Sequence, residues 1–398
     1  MTGKWASRLA LLLFGCLLAF LALEGLARIA FPVEKESDKF WQPDPLLGWT
    51  NIPNKTGFFR SEEVGEIPVA INSKGLHDAE YDYAKPEDVF RILVLGDSFA
   101  QALQVNVEDS FPELLETRLN ERRSSSIRFE VINAGVTGYG TDQELLFFQQ
   151  EGHKYEPDLV ILTFCTINDV MDSSPALEIQ DLADRKQFFV LQDSEPELRK
   201  VVFPQAPADQ DKGLRATISR ILNQSRLYQI IRRSLRAMTE GMTRATVQPE
   251  DNQGSQDTPS GKMVTMPVHY GVYAPEYTPE WEEAWQITLA IIRRLRDKAK
   301  TRDARLLVIV ATTGEELYAA WRHMIPLVWD LDKPNRILSL FLEENAIAYL
   351  PLLPHFRRDY QETERHLHFR VDGHWTVEGH RLAADAIYEY LIQQEWLP

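Results

Sequence analysis

Five short apolar runs, each followed by enough chain to form a helix, constrain this sequence more than any other feature. Arg91-Ile-Leu-Val-Leu95 ends at Gly96, and the runs Ile127–Ile132, Pro157–Cys165, Arg305–Ala311 and Ala348–Leu353 repeat the pattern. Apolar stretches this short, without polar alternation, mark strands covered on both faces. Helical patterns lie between them. Ser110 with Glu113, and Thr141 with Glu144, have the spacing of capping boxes that open helices. A long helix is expected from Pro279 to about Lys300, with proline where a first turn accepts it. Further helices are expected around 314–325 and 335–345, and a closing one over Val377–Trp396. Strands alternating with helices predict a parallel α/β sheet, whose active site lies at the C-terminal strand ends.

The alternation is interrupted. Residues 171–278 form an inserted segment between the two parts of the α/β domain, 91–170 and 279–398. Within it, Ile218, Ile221, Leu222, Tyr228, Ile231, Leu235 and Met238 share one helical face, and Arg220, Arg226, Arg232, Arg233 and Arg236 make Thr217–Met238 locally basic. Such a helix suits packing on the main domain, with arginines in water, or contact with an anionic surface. Residues from about 245 to 265 are polar and aperiodic and read as a disordered loop. Ahead of the domain, 32–90 reads as an irregular lead-in with short strand-like pieces such as Ile67–Ile71.

At the N-terminus, Lys4 and Arg8 precede an apolar run from Leu9 to Leu23, and Glu24 and Arg28 are spaced to pair on one helix face. Residues 9–31 are long enough for a tilted membrane span, while 9–23 alone matches a signal-peptide core. No small-x-small cleavage site follows. Leu13-Phe-Gly-Cys16 faintly resembles a lipoprotein site, but the apolar run continues past it. The reading is an uncleaved anchor, with residues 1–8 cytoplasmic and the catalytic part periplasmic or extracellular. The net charge of −16 argues against nucleic-acid partners. Two cysteines, Cys16 in the apolar run and Cys165 in a buried strand, are not placed to pair, and no Cys/His cluster has zinc-site spacing. No cofactor or metal is expected.

Residues with chemical potential cluster after the predicted strands. Gly96-Asp-Ser98-Phe99 places a serine on a tight strand-to-helix turn among free backbone N–H groups, which suits a nucleophile. Asp and Ser also suit a plain capped turn. Asn133-Ala-Gly135-Val-Thr-Gly138-Tyr-Gly140 offers backbone N–H groups that can approach a ligand, or simply a flexible turn. Thr166-Ile-Asn168-Asp169 supplies a side-chain amide for a developing oxyanion, or a cap for the next segment. Near the end, Val371-Asp372-Gly373-His374-Trp375 pairs a carboxylate with a candidate general base. His380 opens the closing helix and reads as structural, and His366 and His368 flank the motif without an evident partner.

In order and spacing these four loops resemble the four blocks of the SGNH/GDSL hydrolase family, over about 90–175 and 280–395. The apolar N-terminus, Leu47-Gly-Trp49 and Ile71-Asn-Ser-Lys-Gly-Leu76 are similar to membrane-anchored bacterial members. The resemblance implies a flavodoxin-like three-layer α/β/α sandwich with a five-stranded parallel sheet. It implies Ser98 as nucleophile, His374 as base oriented by Asp372, and an oxyanion hole from the Ser98 and Gly138 N–H groups and the Asn168 amide. Two departures stand out. Thr166 occupies the usual glycine position of the third block, and only Gly373 separates Asp372 from His374. The short spacing followed by Trp375 is similar to polysaccharide O-acetylation proteins of the same superfamily. The implied activity is hydrolysis of small acyl esters, acetyl foremost, on a cell-envelope carbohydrate. Transfer of acetyl to a surface polysaccharide, or a catalytically dead glycan-binding role, are the alternatives. An α/β-hydrolase elbow would need glycine where Ala100 stands.

Overall fold

The computed structural model describes residues 2–30, 37–121, 127–177, 186–192, 195–199, 225, 228 and 267–398. The chain divides into two compact units, Met1–Lys35 with Pro204–Met263, and Glu36–Phe203 with Val264–Pro398. In the first, Thr2–Ala30 is one continuous helix, α1. It covers residues 9–30 of the expected anchor 9–31; residue 31 and some of the helix's side chains lie outside the described residues. Among the described residues no helix is long and apolar enough to cross a membrane, so the expected span is not shown. The expected helix Thr217–Met238, apart from Ser225 and Tyr228, and the expected loop at 245–265 lie outside the described residues.

The second unit begins with two hairpins where an irregular lead-in was expected. β1 (Trp41–Asp44) pairs antiparallel with β2 (Gly48–Asn51), and β3 (Thr56–Ser61) with β4 (Gly65–Ala70). The α/β alternation follows: β5 (Val89–Gly96), α2 (Ser98–Gln101), α3 (Phe111–Glu121), β6 (Arg128–Asn133), α4 (Thr141–Gln150), β7 (Leu159–Cys165) and α5 (Asp169–Asp172). A hairpin of β8 (Phe188–Gln192) and β9 (Glu195–Arg199) stands within the expected insertion. Then come α6 (Pro279–Lys300), β10 (Arg305–Ala311), α7 (Gly314–Leu317), α8 (Lys333–Glu344), β11 (Ala348–Pro351), α9 (Leu353–Thr363) and α10 (Val377–Gln393).

β11, β10, β7, β5 and β6, in that order, form a five-stranded parallel sheet. Numbered by their place in the chain, these strands run 2-1-3-4-5 across the sheet, the flavodoxin-like order. Side chains alternate across it, as the two-residue strand period requires. Ile92, Val94, Ile161, Leu307 and Ile309 face one core with Phe111, Leu115 and Leu119 of α3 and Ala383, Ile387 and Leu391 of α10. Leu93, Leu95, Val160, Leu162 and Val308 face the other with Leu145 and Phe148 of α4 and Ile287, Ile291 and Leu295 of α6. Each fully buried Leu or Ile contributes about 1.5–3 kcal/mol relative to exposure, so these two layers dominate the unit's stability. Phe189 of β8, with Val272 and Tyr273, joins the second core, so parts of the expected insertion pack with the sheet.

Three local expectations are corrected. Neither expected capping box forms. Among the described residues, the Ser110 hydroxyl has no hydrogen-bond partner, and both carboxylate oxygens of Glu144 are buried without one. Thr141 is the first residue of α4, and the reciprocal contact is made one residue earlier, by Gln143 Oε1 accepting from the Gly140 N–H at 3.1 Å. The expected helix 314–325 is a four-residue turn, α7, followed by a 3₁₀ stretch over Ala319–Met324. α9 was not anticipated, because Pro354, His355 and its many charges blur an apolar face that buries only Leu353 and Phe356.

Candidate active site

β5, β6 and β7 end side by side, and the site grows from the loops that follow them. After β5, Asp97 folds back on the chain: its Oδ1 accepts the Phe99 N–H at 2.8 Å and starts α2. Asp97 takes the capping role, so the adjacent Ser98 is left partly accessible with its hydroxyl unused for capping. Ser98 N–H sits in the first turn of α2, where no helical carbonyl precedes it. After β7, the Asn168 side chain makes no capping bond. Its Nδ2 instead donates to Asp97 Oδ2 at 2.8 Å, bridging the two strand ends at the centre of the sheet. The capping alternative for Asn168 therefore does not hold. Asp169 serves its own loop, accepting the Cys165 N–H at 2.6 Å.

The glycine-rich loop after β6 is tied to the helix that carries Ser98. Gln101 Oε1 accepts both the Thr137 N–H at 2.7 Å and the Thr137 hydroxyl at 2.6 Å. Gly138 follows at φ +77°, a conformation most side chains resist. The lead-in completes this wall. Trp49 Nε1 donates to the Thr137 carbonyl at 3.0 Å, and the Tyr139 hydroxyl donates to the Trp49 carbonyl at 2.7 Å. Gln101 Nε2 donates to Asn51 Oδ1 at 3.0 Å.

From the opposite end of the sequence, the segment between α9 and α10 brings in Asp372 and His374. It is a tight loop, closed by a bridge between His368 and Trp375 and by Phe369 N–H donating to the His374 carbonyl at 2.8 Å. Gly373, at φ +86°, makes the turn that lets Asp372 and His374 converge across a single residue. Trp375 is fully buried and donates through Nε1 to the Thr312 carbonyl at 3.2 Å, which anchors the loop to the end of β10. The result is a continuous line of polar contacts. His374 Nε2 lies 2.6 Å from Ser98 Oγ, and His374 Nδ1 lies 2.6 Å from Asp372 Oδ1.

This geometry requires Nδ1–H to donate to Asp372, leaving Nε2 to accept the serine proton. Burial pushes the Asp372 carboxyl up, but the hydrogen bond and charge of His374 outweigh it and hold it below the ordinary carboxylate range. Gln104 Nε2 lies 3.1 Å from His374 Nδ1. With Nδ1–H committed to the carboxylate, the Gln104 amide serves as a further donor to Asp372, which also lowers it. Beneath the site the charges behave differently. Burial pushes the carboxyls of Asp97, Glu144 and Asp169 up; for Glu144 the Asp97 charge adds to this, and for Asp169 the Glu144 and Asp97 charges do.

The sequence-derived residues Ser98, Asn168, Asp372 and His374 thus lie at one place, with Gly138 on a loop tied to α2. His380 does not join them. It is buried in α10, stacks on Phe111 and accepts the Phe111 N–H through Nδ1 at 3.3 Å. His368 does have partners, with Nε2 3.0 Å from the Thr312 carbonyl and Nδ1 3.4 Å from the Tyr318 hydroxyl. His366 contacts Arg370 at 2.7 Å. Gln104, Gln101 and Asn51 were not singled out from the sequence, and Trp49 was singled out only as part of the Leu47-Gly-Trp49 resemblance, with no role in the site. Nothing in their local spacing signals a role, because each acts across the fold. Among the described residues, no group of histidine, cysteine and carboxylate side chains is arranged to hold a metal.

The model of the GDSL-like lipase/acylhydrolase family matches residues 94–382, a span that contains the three strand-end loops and the loop between α9 and α10. The chain belongs to this family. It is a hydrolase of the SGNH/GDSL type that acts on ester bonds. No curated protein matches the sequence significantly. Similar solved structures include an acetyl xylan esterase (12% identity, 76% of this chain and 100% of that one, TM-score 0.40). A catalytic mutant of an acetylxylan esterase from Geobacillus stearothermophilus is 11% identical over 75% of this chain and 93% of its own, with a TM-score of 0.39. A GDSL-like lipase from Bacteroides thetaiotaomicron is 11% identical over 76% and 88%, with a TM-score of 0.32.

The buried histidines of the esterase give it a testable acid sensitivity. Burial pulls His380 down from 6.5 to about 3 and His368 to about 4. Between those values and 6.5 the unfolded chain binds protons that the folded chain does not. Their contribution is therefore complete above 6.5 and is lost as pH falls. The buried Glu316 carboxyl, pushed up to about 7, acts in the opposite sense, so two chains must be compared. His380→Gln keeps an acceptor for Phe111 and does not titrate. Urea midpoints measured at pH 7 and pH 4.5 are expected to fall less for this variant than for wild type. Equal falls would show that His380 does not contribute.

Proposed function

We propose that the esterase hydrolyses small acyl esters, acetyl foremost, on a carbohydrate, with Ser98 as nucleophile. The observation that carries this reading is the Ser98–His374–Asp372 line, with both contacts at 2.6 Å. In the reaction, Ser98 Oγ attacks the ester carbonyl as its proton moves to His374 Nε2. The imidazolium that forms is stabilised by Asp372. The oxyanion develops toward the Ser98 N–H, the Gly138 N–H and the Asn168 amide, whose orientation the Asp97 carboxylate holds. Collapse breaks the bond to the alcohol, which leaves with the proton from Nε2. Water then attacks the acyl-serine as its proton moves to His374 Nε2, and the bond to Ser98 Oγ breaks as Nε2 returns that proton to the serine and the carboxylic acid leaves.

The carbohydrate part of the reading rests on the Asp372-Gly-His-Trp375 block and its similarity to polysaccharide O-acetylation proteins. The location belongs to the same reading. Lys4 and Arg8 ahead of Leu9–Leu23 favour membrane attachment through the N-terminus and a catalytic unit outside the cytoplasm.

Three measurements test it. Ser98→Ala is expected to remove nitrophenyl acetate hydrolysis by about 10⁴–10⁶ while the melting temperature holds. A variant that keeps more than about a tenth of the activity rules out Ser98. Asn168→Ala is expected to lower kcat by about 10²–10³ with little change in KM, and a change in KM alone defeats the oxyanion role. Alkaline phosphatase fused after Pro398 is expected to be active in cells, and an inactive fusion beside an active cytoplasmic reporter reverses the location.

A further inference from the structure

We infer that Glu63, at the tip of the β3–β4 hairpin, is a positioning residue that sets the geometry of the Asp372–His374 loop. The inference rests on the Ser–His–Asp reading above. One carboxylate accepts from three successive backbone N–H groups of that loop. Glu63 Oε1 takes the Arg370 N–H at 2.5 Å, and Oε2 takes those of Val371 at 2.8 Å and Asp372 at 3.1 Å. Successive N–H groups turned to one side form a concavity suited to an anion, and here the protein fills it with its own side chain. The third of these donors belongs to Asp372 itself, so the contact acts directly on the residue that orients His374.

The loop needs an external hold. Val371 is almost wholly exposed, and Gly373 makes the following turn with no side chain of its own to pack. Trp375 anchors the segment on its C-terminal side, from the β10 end. The Gly373 N–H donates to the Phe369 carbonyl at 3.0 Å across the Arg370–Asp372 stretch, and among the described residues Glu63 is the side chain that takes that stretch's own N–H groups. The hairpin that presents Glu63 is itself fixed. Its tip is closed by Val64 N–H donating to Ser61 Oγ at 3.0 Å, and Arg60 pairs with Glu66 at 3.1 Å. At its base, Val69 packs with Phe40 and Ile71 in a small core. The lead-in therefore does more than cover the domain: it reaches over the strand ends and holds the acid–base loop from above.

The test is a double-mutant cycle in the full chain, read with nitrophenyl acetate. Glu63→Ala is expected to lower kcat by about 10- to 100-fold with KM within about twofold, because a small displacement of an acid–base pair costs rate rather than binding. Glu63→Gln, which keeps an acceptor oxygen, is expected to fall between Glu63→Ala and wild type, and it carries the test if Glu63→Ala does not fold. In an Asp372→Ala background, Glu63→Ala is expected to have almost no further effect, since residues acting as one unit are not additive. Unchanged kcat in Glu63→Ala, or a full additional loss on top of Asp372→Ala, overturns the inference. If Asp372→Ala alone leaves kcat unchanged, the Ser–His–Asp reading is what fails, and the inference fails with it.

Discussion

The hydrogen bond from Asn168 Nδ2 to Asp97 Oδ2 joins the ends of β5 and β7 at the centre of the sheet, and the site is organised around it. These are the two strands between which the chain reverses its direction of travel across the sheet. The connection to β6 leaves on one side of β5, and the later strands add on the other. The two following loops therefore diverge and leave a crevice at their base. Asp97 uses one carboxylate oxygen to start α2, which sets Ser98, and the other to hold the Asn168 amide. One buried side chain thus orients both the serine and a candidate oxyanion donor.

That arrangement needs a dry floor. Asp97, Glu144 and Asp169 are all buried, and burial raises their carboxyls because charge is costly away from water. The only described cation placed among the acids of this region is Lys186, fully buried and 3.3 Å from Asp142. Asp372 contrasts with them: partly exposed and bonded to His374, it is held below the ordinary carboxylate range. The buried carboxyls and Asp372 are thus driven in opposite directions, by burial and by partners.

The Asp372–His374 loop gives the other half of the site its shape. Its short Asp-x-His spacing departs from the usual family pattern, and the structure shows how the chain accommodates it. Gly373 turns through positive φ, Trp375 seats against Thr312, and Glu63 takes the free N–H groups on the exposed side. The hairpins of residues 41–70 are therefore part of the site's construction, with Trp49 and Asn51 bracing the glycine-rich loop and its neighbouring helix from the same lead-in.

The five strands, their parallel order of use and the loops bearing Ser98, Gly138, Asn168, Asp372 and His374 were legible from the sequence, because each depends on a local signal. Continuous apolar runs mark buried strands, and glycine, aspartate and asparagine mark the turns that end them. Helix starts were read less well, since Ser110 and Thr141 carry capping-box spacing that burial and Gly140 override. The lead-in was read as irregular because its strands are only four to six residues long, interrupted by proline and glycine, and stabilised by pairing that spacing does not reveal. What the tertiary structure alone decided is which distant groups meet. Ser98 and His374 are 276 residues apart, Glu63 and Asp372 are 309 apart, and Gln104 and His374 are 270 apart. A side chain's sequence neighbours fix its turn or its strand, whereas its partner across the site is chosen by how the sheet, the helices and the hairpins pack in three dimensions.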